Sequence, residues 1–193
     1  MLITVTGGAS SGKSELGENL ARNLGGRLLY IATMEPFGEE GQQRVARHRD
    51  LRQGKGFETL EAYRDLGDSL QHPLIQKADT VLLECALNLL ANESFSPSRA
   101  DGEPVSRITR DVLALRDAVS NLVVITGEVF SDGESYPFET ARYIRDLGAL
   151  NRFLARESDL VIKSVAGIPV FIKGGPSHSI QSLDHSDERG ICR

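Results

Sequence analysis

A chain of 193 residues, 40% hydrophobic and 25% charged, is long enough to bury one sizeable core and too short for two comfortable ones, so a single domain is expected. Its 22 Lys and Arg against 27 Asp and Glu leave a net charge of -5, which argues against broad nucleic-acid binding. Two cysteines, Cys85 and Cys192, make neither a disulfide framework nor a zinc site; with no apolar run near the roughly 18 to 20 residues of a membrane span and no basic-then-apolar leader, a cytoplasmic protein is expected.

The first element is the most informative. Residues 2–6, Leu-Ile-Thr-Val-Thr, read as a buried strand and break into Gly7-Gly8-Ala9-Ser10-Ser11-Gly12-Lys13-Ser14. This is the phosphate-binding pattern G-x-x-x-x-G-K-[ST]. Its glycines let backbone N–H groups turn inward as an anion nest, the following helix adds its positive end, and Lys13 meets the outer phosphates. Ser14 can place its hydroxyl on magnesium. A chance Gly/Ser turn would not have a strand before it and, after it, a helix with Leu16, Leu20 and Leu24 spaced four apart and stopped by Gly25-Gly26.

Residues 27–32 form a second buried strand, followed by a loop through Thr33, Met34, Glu35 and Pro36. The spacing then predicts a helix over about 38–53, acidic in its first turn and basic in its last, as the helix dipole favours. Arg44, His48 and Arg52 fall four apart on it and share one face, and Arg47, Arg49 and Lys55 add positive charge. On spacing alone the blander reading, a solvated basic helix end with an incidental histidine, is the stronger. Gly54 and Gly56 break the helix; residues 57–61 read as a short extended segment leading into a helix through Leu66 and Leu70. The strand over 80–85 ends at Glu84, where phosphate-loop proteins commonly carry the carboxylate that orients magnesium or its water. A strand-end charge is the alternative.

Residues 92–104, rich in Ser, Pro, Asn and Gly, read as a surface loop. A helix over about 106–120 turns Ile108, Val112 and Leu115 inward, and residues 122–126 make a fourth buried strand ending in Gly127-Glu128-Val129-Phe130. A loop over 131–137 feeds a helix over about 138–156 carrying Ile144, Leu147, Leu150 and Leu154. Strands over 159–165 and 169–173 are joined so briefly, by Ala166-Gly167-Ile168, that they must form a hairpin with the last strand antiparallel at the edge. From Gly174 onward no periodic apolar face remains, and a disordered tail is expected; His72, His178 and His185 are not expected to be ligands. The alternation of strand and helix behind a phosphate loop implies a three-layer α/β fold of P-loop NTPase type over 1–173, with a mainly parallel sheet, an antiparallel C-terminal edge strand, and the ligand crevice at the carboxyl ends of the strands.

Over nearly the whole chain up to Lys173 the sequence resembles the bifunctional adenosylcobinamide kinase/adenosylcobinamide-phosphate guanylyltransferases of cobalamin synthesis. The resemblance is carried by T-G-G-x-x-S-G-K-S at 6–14, Y-I-A-T at 30–33, R-[IV]-x-x-H-x-x-x-R at 44–52 and T-x-E at 59–61. It continues in the Glu84-Cys85 pair, Asn92, and the helix that runs from Ala141-Arg142-Tyr143-Ile144-Arg145-Asp146 through Asn151. It implies that His48 becomes guanylylated, that Lys13 and Glu84 are catalytic, and that Arg49, Asp50, Leu51 and Arg52, with Ala32, Thr33, Met34, Glu61 and Glu84, join the loop residues Gly7, Gly8, Ala9, Ser10, Ser11, Gly12, Lys13 and Ser14 in holding nucleotide. It implies Mg2+ at Ser14 and Glu84, GTP as substrate with ATP as the alternative phosphate donor, adenosylcobinamide as acceptor, and a homo-oligomer, a homotrimer by family resemblance. The chain departs from the pattern at Phe57, which comes one residue late, at Ala86-Leu87-Asn88, and at Thr126-Gly127-Glu128-Val129-Phe130, where an asparagine and a final glycine are replaced and Glu128 remains. A P-loop kinase of another small hydroxylated substrate and a non-enzymatic GTP-binding regulator are the readings left open by the residues.

Overall fold

Strands buried on both faces carry apolar residues without polar alternation, and this chain has four such runs in positions that make them the middle of one sheet. The computed structural model describes residues 1–36, 38–52, 54–95, 103–129 and 136–175, with the backbone alone at positions 40, 44 and 48–52. In order these form β1 (Leu2–Thr6), α1 (Lys13–Leu24), β2 (Leu28–Ala32), α2 (Gly38–Arg52), β3 (Phe57–Glu61), a 3₁₀ helix (Leu66–Gln71), α3 (Pro73–Lys77), β4 (Thr80–Glu84), α4 (Ala86–Phe95), α5 (Pro104–Ala118), β5 (Asn121–Ile125), α6 (Phe138–Glu157), β6 (Leu160–Val165) and β7 (Ile168–Lys173).

The seven strands make one sheet in the order β3-β2-β4-β5-β1-β6-β7, parallel throughout except for β7, which runs antiparallel to β6 at the edge. Period-two alternation sends successive residues to opposite faces. Val81 and Leu83 of β4 and Leu122 and Val124 of β5 pack with Leu89 of α4, Val112 of α5 and Leu150 of α6. Their neighbours Leu82, Val123 and Ile125 pack on the other side with Leu16, Leu20 and Ala21 of α1. These are the three expected layers. On α1, Gly17 faces the sheet so closely that an added Cβ would stand 2.3 Å from Ile125 Cδ1, so the absence of a side chain there is what lets the helix seat.

Two expectations differ from what forms. Residues 92–95 belong to α4 and not to a loop, because Ala86, Leu89, Leu90 and Glu93 are buried at helical spacing, and the polar Asn92 and Glu93 are spent on internal partners. Asn92 Nδ2 donates to the carbonyls of Thr33 and Tyr63, each at 2.8 Å, while Glu93 accepts from Asp65 N at 2.7 Å and from Arg107. The helix expected through Leu66 and Leu70 is a 3₁₀ turn, broken from α3 where His72 caps the new helix by accepting from Leu74 N and Pro73 starts it. The extended segment at 57–61 is a full edge strand paired along β2. The remainder of the expected loops at 96–102 and 131–135, and the expected disordered tail beyond 175, lie outside the described residues. Among the described residues no helix is long and apolar enough to cross a membrane.

Candidate active site

The strand order places β1 between β5 and β6, so the chain leaving β1 enters the crevice where the connections diverge to either side, the place open α/β sheets use for ligands. Gly12, the residue before α1, takes φ 85°, and a Cβ on it would meet Gly167 Cα at 3.1 Å. Glycine is required there on both counts. The loop is braced from behind by the β6–β7 turn: Ser164 Oγ and Gly167 N both donate to the Ser11 carbonyl, at 2.6 and 2.9 Å. Across the loop, Lys13 Nζ donates to the Gly8 carbonyl at 2.9 Å, which holds the ammonium over the nest.

Facing the loop is the end of β4. Ser14 Oγ donates to Glu84 Oε1 at 2.5 Å and Tyr30 Oη donates to Glu84 Oε2 at 2.7 Å, so both carboxylate oxygens are fixed, one from the loop's own helix and one from β2. Tyr30 is held by burial and by an edge-on contact with Phe57, ring centroids 6.0 Å apart. Behind Glu84 the chain passes through a cis peptide to Cys85, whose N–H donates to Thr33 Oγ1 at 2.7 Å and whose carbonyl accepts from the same hydroxyl at 2.9 Å. Burial pushes the Cys85 thiol up to about 11, so at neutral pH it is a small apolar wall and not a nucleophile.

These groups open onto a cavity of about 430 Å³ at the carboxyl ends of the strands. Of the residues expected to hold nucleotide, Gly7, Ala9, Ser10, Lys13, Ser14, Ala32, Met34, Glu61 and Glu84 line it. Ser11 and Gly12 line a second hollow of about 510 Å³ on the outer side of the loop, shared with Glu18 and Lys55, which are ion-paired. Gly8 contributes the carbonyl that holds Lys13. Thr33 is fully buried, and its side chain ties the end of β2 to the end of β4. His48, Arg49, Asp50, Leu51 and Arg52 lie on the last turns of α2, and their side chains fall outside the described residues; Val45 on the same helix borders the cavity.

Several residues at the site have no role that the sequence assigns. Tyr30 stands there as the first residue of Y-I-A-T, with no task attached to its hydroxyl. Tyr63 lines the cavity and donates to Glu61 Oε2 at 2.6 Å. Asn151 of α6 reaches across to the end of β5, accepting from Thr126 Oγ1 at 2.7 Å and donating to the Gly127 carbonyl at 3.0 Å.

Residues 3–172 match the family model described as cobinamide kinase / cobinamide phosphate guanyltransferase. The chain is 34% identical over 185 residues to the bifunctional adenosylcobalamin biosynthesis protein CobU of Salmonella typhimurium and 33% identical over 185 residues to that of Escherichia coli, in each case over 90% of this chain and 100% of the relative. To the bifunctional adenosylcobalamin biosynthesis protein CobP of Pseudomonas aeruginosa it is 29% identical over 174 residues, 89% of this chain and 97% of that protein. A phosphate loop whose serine meets a strand-end glutamate, inside a match that runs through all seven strands, leaves one conclusion: the chain belongs to the cobinamide kinase/cobinamide phosphate guanyltransferase family.

Proposed function

We propose that this chain, acting as one catalytic unit over residues 1–173, phosphorylates the hydroxyl of adenosylcobinamide from a nucleoside triphosphate and then transfers GMP from GTP to that phosphate through a guanylyl-histidine at His48, giving adenosylcobinamide-GDP. Kinase and nucleotidyltransferase chemistry follow from the family. The observation that carries the reading is the Ser14–Glu84 contact beside the phosphate loop, because a hydroxyl and a carboxylate fixed within 2.5 Å of each other are the hard oxygen donors that a triphosphate's counter-ion needs.

That pair fits Mg2+, which takes few protein ligands and completes its sphere with phosphate oxygens and water; accordingly, no group of three or more metal-ligating side chains is needed, and none is found among the described residues. When bound, the ion offsets charge on the β- and γ-phosphate oxygens. Lys13, released from the Gly8 carbonyl, meets the outer phosphates, the loop N–H groups hold the rest of the chain, and Ala32, Thr33, Met34 and Glu61 are assigned to the nucleoside. In the second reaction a neutral His48 ring nitrogen attacks the α-phosphorus of GTP, the bond to the β-bridging oxygen breaks, and pyrophosphate leaves. Arg49 and Arg52 neutralise the equatorial oxygens, with Asp50 and Leu51 beside them. An oxygen of the acceptor phosphate then attacks the same phosphorus and the P–N bond breaks, which restores His48. We assign the protein to the cytoplasm, as expected of a chain whose two cysteines make no disulfide framework, and to a homotrimer on the strength of the family resemblance; sedimentation equilibrium tests the trimer.

Incubation with α-labelled GTP and Mg2+ should label His48 and release pyrophosphate, raising the intact mass by one GMP. The adduct should survive base and fall apart in acid, as a phosphoramidate does. His48→Asn should abolish labelling and spare nucleotide binding at the loop. A parent chain that takes no label, or a variant that labels undiminished, sinks the transferase half.

A further inference from the structure

A protein that first phosphorylates a hydroxyl and then uses the resulting phosphate as a nucleophile needs an acceptor site suited to both groups. Among the described residues three carboxylates line the cavity at the carboxyl ends of the strands, Glu61, Glu84 and Glu128. Glu84 has both oxygens engaged by Ser14 and Tyr30, and Glu61 stands at the end of the edge strand β3 accepting from Tyr63. Glu128 lies at the other side. Its backbone N–H donates to the Gly7 carbonyl at 3.3 Å, and the preceding Gly127 is so near the loop that an added Cβ would stand 3.9 Å from Lys13 Cε. Glu128 is therefore rooted beside the lysine that meets the outer phosphates. The two bonds from Asn151 to Thr126 and Gly127 hold this stretch in place.

The Glu128 carboxylate is paired, at 2.9 Å, with Lys163 Nζ from β6, and Lys163 sits in register with Thr6, the last residue before the phosphate loop. The pair thus bridges over the strand from which the loop departs, with one acidic and one basic member. Their side chains are 43% and 38% exposed, so a ligand can reach them, and an ion pair this exposed costs little to part.

We propose that Glu128 and Lys163 form the acceptor site of both reactions. Glu128 takes the proton of the acceptor hydroxyl as the O–P bond to the γ-phosphorus forms and the bond to the β-bridging oxygen breaks, with nucleoside diphosphate leaving. Lys163 then holds the new phosphate monoester while one of its oxygens attacks the guanylyl group. Asn151 is a positioning residue for Glu128. This assignment rests on the proposed function and deepens its acceptor side.

The test runs three assays on the full-length chain: self-labelling with α-labelled GTP and no acceptor, phosphorylation of adenosylcobinamide, and GMP transfer to adenosylcobinamide phosphate. Glu128→Gln should lower kcat for phosphorylation by about 100-fold or more, the range of a lost general base, and leave self-labelling at the parent rate. Lys163→Met should raise KM for the phosphorylated acceptor about tenfold, with Lys163→Arg recovering most of it. Parent-like phosphorylation in Glu128→Gln overturns the assignment, as does a loss of self-labelling in step with the acceptor reactions, which marks a structural role. A parent chain that labels with GTP yet uses neither acceptor refutes the proposed function together with this site, whereas active parent and active variants refute this site alone.

Discussion

Replacing Gly17 by alanine sets two effects of known sign against each other. Alanine in a helix interior gains about 1 kcal/mol over glycine. Against that, the new Cβ would stand 2.3 Å from Ile125 Cδ1 and 3.4 Å from Leu82 Cδ1, whereas carbon atoms rest about 3.5 to 4.0 Å apart. Ile125 is fully buried, so its tip has nowhere open to go, and either its rotamer changes or α1 lifts from the sheet. Overpacking of this kind costs about 1 to 3 kcal/mol, so the net loss expected after the helix gain is about 0 to 2 kcal/mol. Ile125→Val deletes the clashing Cδ1 and leaves Cγ1, which would be 3.4 Å from the new Cβ; alone it should cost about 0.5 to 1.5 kcal/mol. The double variant should be no less stable than Gly17→Ala alone, a coupling of about 1 kcal/mol or more. Urea unfolding followed by circular dichroism measures all four corners of the cycle. Because α1 begins with Lys13 and Ser14, nucleotide affinity should fall in Gly17→Ala and recover in the double variant. Strict additivity, or a stabilised Gly17→Ala, would refute the reasoning that the helix seats through this glycine.

Lys13→Ala should weaken triphosphate binding at least tenfold by calorimetry, since about 1.4 kcal/mol or more is expected of a charge-assisted phosphate contact; unchanged affinity would remove the loop from the mechanism. Glu84→Gln should raise the magnesium concentration for half-maximal activity with the fold intact, and Tyr30→Phe should do the same more weakly, because it frees one carboxylate oxygen; variants with the parent's magnesium dependence would demote Glu84 to a strand-end charge. Cys85, half-buried at the cavity wall, has its thiol's folded value raised by desolvation from 9.0 to about 11, so its contribution to stability is complete below pH 9 and is lost as pH rises toward 11, by up to about 1.4 kcal/mol per pH unit. Urea midpoints between pH 8.5 and 10.5 should therefore fall more steeply in the parent than in Cys85→Ala, and parallel slopes would contradict the burial argument.

Local chemistry that repeats along the chain was legible without coordinates. The phosphate loop announces itself because backbone nesting demands glycines at set positions and one lysine, and the four inner strands do so because burial on two faces forbids polar alternation. The antiparallel edge followed from a connection too short for a crossover, and Glu84 stood out as a carboxylate ending an apolar run. What composition could not separate was polar residues facing water from polar residues spent inside: Asn92 and Glu93 made the end of α4 look like a loop, although one ties two carbonyls together and the other neutralises Arg107. Strand order, the bracing of Ser11 by the β6–β7 turn, the hold of Tyr30 on Glu84 and the meeting of Glu128 with Lys163 join residues 35 to 153 positions apart. Such contacts leave no periodic trace in the sequence, because each depends on which strands lie side by side, and that is decided only when the helices find the sheet faces that bury them.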